Sequence, residues 1–135
     1  MPTRRSLLVC LCLPLLFAGC RTLSNNEIDN HLRERLRLYE SVVRWGALER
    51  MYTFIRPEDA VGLEVPEGLD NVRVISYETA SGPSRVTEDR WVQTVAIEYV
   101  LQDRQIVKSL IDHQVWEREP DAEVWYRTNP NPQFR

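Results

Sequence analysis

The spacing of apolar residues changes once along this chain, and this change limits the folds that it can adopt. Up to residue 56 the spacing is three or four, as seen at Ile28, Leu32, Leu36, Tyr39 and Val43 and again at Val42, Trp45, Leu48, Tyr52 and Ile55. It predicts one amphipathic helix from about residue 25 to about Phe54, which ends before Pro57. From Asn71 the period is two, which is typical of strands with one buried face. We therefore expect an α+β domain in which one long N-terminal helix packs on a curved antiparallel sheet of about four strands.

Short turns separate the four predicted strands. The strands cover about residues 72–79, 85–101, 105–118 and 124–127, and Ser81-Gly82-Pro83 forms the first turn. Such short connections favour consecutive antiparallel hairpins. The register of the second strand stays open, because Trp91, Val95, Ile97, Tyr99 and Leu101 alternate with Val92, Ala96 and Val100, which are also apolar. Residues 57–70 combine Pro, Gly and acidic residues, and we interpret them as a loop.

The first 20 residues have the order of a secretory signal peptide. Arg4 and Arg5 precede an uncharged apolar run from Leu7 to Ala18, and small residues stand before Cys20. The run is about twelve residues long, whereas a helix that spans the hydrocarbon core of a membrane needs about twenty. This length favours a cleaved peptide over a permanent anchor helix.

The segment Leu16-Phe17-Ala18-Gly19-Cys20 resembles the lipobox of bacterial lipoproteins, with Phe17 where leucine is usual. The resemblance implies cleavage between Gly19 and Cys20 and attachment of lipid to Cys20, which anchors the protein to the membrane. Residues 1–19 are then the signal peptide, 20–26 the lipidated cysteine and tether, and 27–135 a single domain. Arg21 stands where inner-membrane lipoproteins of enteric bacteria carry aspartate, so the resemblance implies the outer membrane, facing the periplasm. The alternative is an ordinary signal peptide that is cut elsewhere.

Composition and motifs argue against several classes of function. The chain has 17 Lys and Arg against 20 Asp and Glu, so we expect no basic surface for nucleic acid. No glycine-rich phosphate loop and no Gly-x-Ser-x-Gly turn occurs. Cys10 and Cys12 lie in the predicted signal peptide, and lipid occupies Cys20. With His31 and His113 as the only histidines, we expect neither a metal site nor a cofactor.

The predicted domain resembles the cystatin-like cone of the nuclear-transport-factor-two-like superfamily over residues 27–134. The resemblance rests on a leading helix with Trp45-Gly46 and Tyr52, long strands, Trp116, and Trp125-Tyr126 before a proline-containing end. Enzymes of that superfamily resemble ketosteroid isomerase, which implies an aspartate base and tyrosine donors in an apolar cone. The matching candidates are Asp112, His113, Tyr52 and Tyr99. Only one of Asp112 and His113 can face the concave side, because neighbouring strand residues point to opposite faces.

No pattern in the sequence specifies a reaction. The leading hypothesis is a non-enzymatic interaction or assembly module at the cell envelope, whose partner is a second copy or another envelope protein. We expect the contact surface on the open sheet face around Trp91, and the four tryptophans mostly in the core. The alternative is a binding protein for a small apolar ligand, held in a cone between helix and sheet. An isomerase- or cyclase-like enzyme is a third hypothesis, and it requires a buried Asp112 beside a tyrosine.

Overall fold

A helix and a four-stranded antiparallel sheet form the two layers of the computed structural model, which describes residues 28–135. Helix α1 (Asn30–Trp45) is followed by a 3₁₀ helix (Leu48–Phe54) and a short 3₁₀ turn (Leu69–Asn71). Strands β1 (Val72–Thr87), β2 (Arg90–Leu101), β3 (Ile106–Arg118) and β4 (Trp125–Arg127) follow and pair in that order. The α+β class and the consecutive antiparallel hairpins are thus confirmed. The predicted signal peptide, the cleavage between Gly19 and Cys20, the lipid on Cys20 and the tether lie outside the described residues.

Helix α1 is shorter at both ends than predicted. It begins at Asn30, where the Asp29 carboxylate caps it by accepting a hydrogen bond from the backbone N–H of His31 at 2.8 Å. It ends at Trp45, because the next residue is Gly46, whose N–H donates to the Val42 carbonyl oxygen at 2.9 Å. A Cβ atom at Gly46 would lie 2.9 Å from that same oxygen, so only glycine fits this helix end without a shift.

The 3₁₀ helix explains why the apolar spacing continues beyond the end of α1. A 3₁₀ helix has three residues per turn, so residues three apart lie on one face. Leu48, Met51 and Phe54 follow this spacing and are all buried. An apolar spacing of three or four residues therefore does not distinguish one long α-helix from a shorter α-helix followed by a 3₁₀ helix. The chain changes direction between the two, and this change places Trp45 outside the core.

Strand β1 continues through the segment that was predicted to end it. The predicted turn at Ser81-Gly82-Pro83 is wrong, because these residues lie within β1 and the chain reverses at Glu88 and Asp89. The register between β1 and β2 shifts at four places, including both sides of Ser81. Gly82 has a φ of 87°, and a Cβ atom there would lie 2.8 Å from the Val92 carbonyl oxygen. Residues typical of turns are used here for irregularities inside a strand.

The pairing of β2 with β3 settles the register that the sequence left open. Trp91 lies opposite Trp116 and Val95 opposite Asp112, and all four side chains face α1. Edge-to-face contacts among Tyr39, Phe54 and Trp116, with centroids 5.1, 5.4 and 6.2 Å apart, form the centre of the core. The apolar residues between these positions face away from α1; they are Val92, Ala96, Val100, Val107, Ile111 and Val115. Val107 is 62% exposed and Ile111 58%, so the β3 part of this outer face is open to solvent, whereas Val100 on β2 is buried.

Candidate functional site

Asp112 is buried between α1 and the sheet, where it pairs with Arg127 of β4. The Arg127 guanidinium donates from Nη1 to Asp112 Oδ2 at 2.9 Å and from Nη2 to Asp112 Oδ1 at 2.6 Å. The side chains of Arg127 and Asp112 are only 0% and 2% exposed. Alternation along β3 places the carboxylate on the inner face, and Arg127 reaches it because β4 pairs with the end of β3. This is a bidentate ion pair inside the protein, the strongest geometry that an arginine and a carboxylate can adopt.

Arg127 also donates hydrogen bonds to α1 and to the segment after β4. Its Nη1 atom donates to the Tyr39 hydroxyl at 2.8 Å, and that hydroxyl donates to Oδ1 of Asn131 at 3.0 Å. Its Nη2 atom donates to the Pro130 carbonyl oxygen at 2.7 Å, and its Nε atom to that of Asn129 at 3.2 Å. One side chain therefore connects β3, the helix and the final segment of the described chain.

Gln114 extends the polar network along β3. Its Nε2 atom donates to Asp112 Oδ2 at 2.8 Å and lies 3.0 Å from the Tyr77 hydroxyl oxygen, to which it also donates. Its Oε1 atom accepts from Gln93 Nε2 at 2.8 Å and from Trp116 Nε1 at 3.1 Å. The buried polar groups around Asp112 thus satisfy one another, which is the condition for keeping such groups in a core.

The four residues proposed as catalytic candidates do not meet at one place. Asp112 faces inward and His113 outward, which confirms the alternation argument, and His113 Nδ1 lies 3.1 Å from Thr94 Oγ1. Tyr52 is on the 3₁₀ helix, and the Tyr99 hydroxyl donates to the Arg135 carbonyl oxygen at 3.0 Å. Both oxygens of Asp112 already accept hydrogen bonds from Arg127. This arrangement fits a carboxylate that holds Arg127 in place and does not fit a free general base.

Burial raises the pKa of two tyrosine hydroxyls in this network. Tyr39 and Tyr77 both lie in the core, where loss of solvation disfavours the phenolate and raises the pKa well above its ordinary value of 10. The Arg127 charge acts in the opposite direction on Tyr39, and the hydrogen bond from Gln114 does so on Tyr77, but burial dominates in both. The two hydroxyls therefore keep their protons in the folded protein at high pH.

The free energy of unfolding at alkaline pH is expected to depend on these two hydroxyls. Above pH 10 the unfolded chain loses their protons while the folded protein keeps them, so the folding stability falls as the pH rises. Between pH 9 and pH 11, each of the two tyrosines should lower the free energy of unfolding by about 1.4 kcal/mol. Urea unfolding at both pH values measures this loss. The Y77F variant should lose about 1.4 kcal/mol less than the wild type over this range, and an undiminished loss in Y77F would contradict the assignment.

The structure leaves little space between the centre of α1 and the sheet. Tyr39, Trp116, Asp112 and Arg127 fill this region and are buried. An open groove of about 280 Å³ remains on the flank of α1 that faces β1, where Ile28, Leu36 and Tyr77 contribute to its lining.

Trp45 forms an exposed aromatic surface at the end of α1. Its side chain is 77% exposed, and the Arg44 guanidinium carbon lies 4.9 Å from its ring centroid. Beside it is a groove of about 410 Å³. We call this region the Trp45 surface; it comprises Trp45, Arg35, Leu38, Ser41, Val42 and Arg50. The apolar spacing predicts Trp45 in the buried stripe, which is wrong because the helix ends there and the chain turns back into the core at Leu48.

Arginines supply all the charge in the lining of this groove. Arg35 lies partly over the Phe54 ring, with its guanidinium carbon 4.3 Å from the centroid, and donates to the Trp125 carbonyl oxygen at 3.0 Å. Partial burial lowers the pKa of Arg35, while the nearby Tyr126 acts against this. Arg50, from the 3₁₀ helix, lines the groove opposite α1. A positive groove beside an exposed indole is suited to an acidic partner with an apolar side chain.

Trp91, which is predicted from the sequence to lie on a partner surface, is a core residue in this structure. It is 5% exposed, because alternation along β2 turns it to the inner face opposite Trp116. The Trp91 indole is therefore not accessible to a partner on the surface of the described residues. Trp116 and Trp125 are also buried, as predicted for most of the tryptophans. Exposed apolar residues lie instead on the outer face of the sheet, at Leu38 and Trp45 of α1, and in the loop after the 3₁₀ helix at Val61, Leu63 and Val65.

Within residues 28–135, no group of three or more His, Cys, Asp or Glu has the geometry to hold a metal ion. Within the same residues, no helix has the length and apolar character needed to cross a membrane. The chain matches no protein family, no curated protein and no solved structure.

Proposed function

We propose that this chain is a lipid-anchored protein of the bacterial cell envelope that acts as a non-enzymatic interaction module. The anchor is Cys20, the membrane is the outer membrane facing the periplasm, and the contact is the Trp45 surface. The observation that carries the proposal is the exposed indole of Trp45 beside a groove whose charged lining is all arginine. Tryptophan and arginine are the residue types most often found at the energetic centre of protein interfaces.

The chemistry of the partner follows from the charge of this surface. Arg35 and Arg50 line the groove, and no acidic residue does. A complementary segment carries Asp or Glu for the arginines and an apolar side chain for the face of Trp45. Because part of this attraction is between exposed charges, added salt should weaken it.

The position of the surface suits a protein that is held at its amino-terminal side. Seven residues, 21–27, separate Cys20 from the described chain, and when fully extended they span at most about 25 Å. Helix α1 has 16 residues and is therefore about 24 Å long. Trp45 lies at the end of α1 that is farther along the chain from the tether. A partner can reach it without displacing the tether.

The proposal includes the resemblance of the domain to the cystatin-like cone of the nuclear-transport-factor-two-like superfamily. A helix packed on one face of an antiparallel sheet agrees with the coarse features of the cystatin-like superfamily. The alternative function, binding of a small apolar ligand between helix and sheet, has the flank groove near Ile28 and Leu36 in its favour. The filled centre around Arg127 weighs against it. The interaction module is therefore better supported than the binding of a small apolar ligand.

Photo-crosslinking in intact cells tests the contact. A photoreactive amino acid at Ser41, in the groove, should give an adduct with an acidic segment of an envelope protein, whereas one at the exposed Val61 should not. The W45A variant should reduce the adduct at Ser41 at least tenfold, because truncation of a central indole typically costs more than about 2 kcal/mol of binding free energy. The R50E variant should have a similar effect through charge repulsion.

Two outcomes would contradict this assignment. An adduct at Ser41 that persists in W45A and R50E would remove the Trp45 surface from the interface. A photoreactive residue at Ile111 that gives an adduct of twice the chain mass would assign the contact to the outer face of the sheet and the partner to a second copy. In that case the protein would still be an interaction module, but its contact surface would lie on β2 and β3.

A further inference from the structure

The flank groove, the open groove of about 280 Å³ beside α1, lies where the proposed tether joins the described chain. Ile28, the first described residue, forms part of its lining. Seven residues separate Ile28 from Cys20, so Ile28 lies within about 30 Å of the proposed anchor. The flank groove and the Trp45 surface share no lining residue. A molecule anchored at Cys20 therefore carries the flank groove close to the bilayer.

Two arginines of this lining have no carboxylate partner. Arg33 and Arg37 are exposed and lie four residues apart, on the same face of α1. Arg33 Nη1 donates to Asn30 Oδ1 at 2.8 Å, and neither arginine forms an ion pair with a described residue. Glu40, the acidic residue of the lining, pairs with Arg44 at 3.5 Å. The groove therefore offers two positive charges to an anion.

The wall beside these arginines is largely apolar. Ile28 and Leu36 are half-buried and pack against the core, and Tyr77 and Pro83 of β1 line the opposite side. Guanidinium groups bind phosphate oxygens in pairs, and an apolar wall binds methylene groups. A phospholipid carries both groups next to each other, at the junction of its phosphate, glycerol and acyl chains. A free phosphate ion would use only the arginines.

The charge that attracts such a lipid is local. The whole chain has 17 Lys and Arg against 20 Asp and Glu, so its overall charge does not favour an anionic bilayer. An anchor compensates for this, because it holds the groove at a high effective concentration of lipid. A site of modest intrinsic affinity can then be occupied.

We propose that the flank groove binds one anionic phospholipid of the bilayer that holds the anchor. Arg33 and Arg37 bind the phosphate, and the glycerol and the first methylene groups contact the apolar wall. This inference rests on the proposed lipid anchor at Cys20. It adds a second attachment to the bilayer, which orients the domain with the beginning of α1 towards the membrane and Trp45 away from it.

Photo-crosslinking of the full chain in lipid vesicles tests the site. In vesicles of phosphatidylcholine and phosphatidylglycerol, a photoreactive amino acid at Thr79, in the lining, should give an adduct with the mass of one phosphatidylglycerol. The same amino acid at Glu78 should not, because Glu78 lies opposite Ala96 and faces the outer side of the sheet. Phosphatidylcholine has no net charge, and an equally strong adduct in vesicles of this lipid alone would contradict an anionic ligand.

Competition with inorganic phosphate separates a lipid from a free ion. An excess of inorganic phosphate should leave most of the adduct at Thr79 in place, because the free ion has no contact with the apolar wall. Loss of the adduct would assign the two arginines to a phosphate ion and would overturn the lipid site.

Arginine variants separate the site from general contact with the membrane. R33Q and R37Q should each lower the adduct at Thr79 about fivefold, as expected for one arginine near an anionic surface. R73Q removes an exposed arginine of β1 outside the lining and should leave the adduct unchanged.

Sedimentation of the vesicles distinguishes failure of this site from failure of the anchor. Protein that stays in the supernatant would contradict the anchor and the lipid site together. Protein that sediments without an adduct at Thr79 would overturn the lipid site alone. An adduct that R33Q, R37Q and R73Q change equally would also overturn it.

Discussion

Replacement of Asp112 by alanine is expected to lower the free energy of unfolding by about 3–5 kcal/mol. The substitution leaves the Arg127 charge in the core without its counter-charge, and Arg127 is fully buried. It also removes the carboxylate oxygen to which Gln114 donates. Urea denaturation of the wild type and of D112A at neutral pH measures the difference. D121A, which removes an exposed acid, should change the free energy by less than about 0.5 kcal/mol.

The double variant D112L/R127M identifies the cause of that loss. Removal of both charges removes the need to desolvate them, so the double variant should be more stable than D112A although it lacks the whole ion pair. Arg127 also holds the carbonyl groups of Asn129 and Pro130, and the double variant should therefore loosen the segment after β4. Hydrogen exchange in this segment reports that effect. A loss below about 1 kcal/mol in D112A would contradict a buried ionised pair.

Replacement of Cys20 by serine is expected to release the protein from the membrane fraction. A serine cannot take the thioether-linked lipid that the resemblance to a lipobox implies, and cleavage that depends on this lipid should stop as well. Two or more acyl chains hold a protein stably on a bilayer, so their loss is an all-or-none change. Incorporation of labelled palmitate and cell fractionation measure it.

Cys12 supplies the matched control for this experiment. It lies within the apolar run of the predicted signal peptide, so C12S changes the same atom without touching the proposed attachment residue. C12S should incorporate palmitate as the wild type does. Incorporation that continues in C20S would contradict the lipid assignment, and normal cleavage of C20S without lipid would favour an ordinary signal peptide.

Patterns within single segments predicted the class of fold well. The change of apolar period at Asn71 placed the helix before the sheet, and the alternation of β3 put Asp112 and His113 on opposite faces. Local signals failed where two structures share one pattern. The spacing of Leu48, Met51 and Phe54 fits both helix types, and Gly82-Pro83 fits both a turn and an irregular strand.

The candidate sites could not be predicted from the sequence, because they are formed by contacts between distant parts of the chain. Asp112 was identified as a residue of interest, but nothing local shows that Arg127 will pair with it, because this contact follows from how β4 joins β3. The exposure of Trp45 and the burial of Trp91 likewise depend on where α1 ends and on which face of β2 turns inward.

The irregular strand β1 has a consequence for copies of the protein that lie side by side. Strand β1 is one edge of the sheet, its register shifts repeatedly, and Pro83 within it has no backbone N–H to offer. The other edge differs, because β4 pairs only with Trp116–Arg118, and residues 106–112 of β3 have no partner strand on that side within the described chain. An irregular edge is a poor template for an additional strand, whereas a long regular edge can accept one. If the proposed anchor concentrates molecules in the plane of a bilayer, any strand pairing between neighbouring copies should therefore occur along β3 and not along β1.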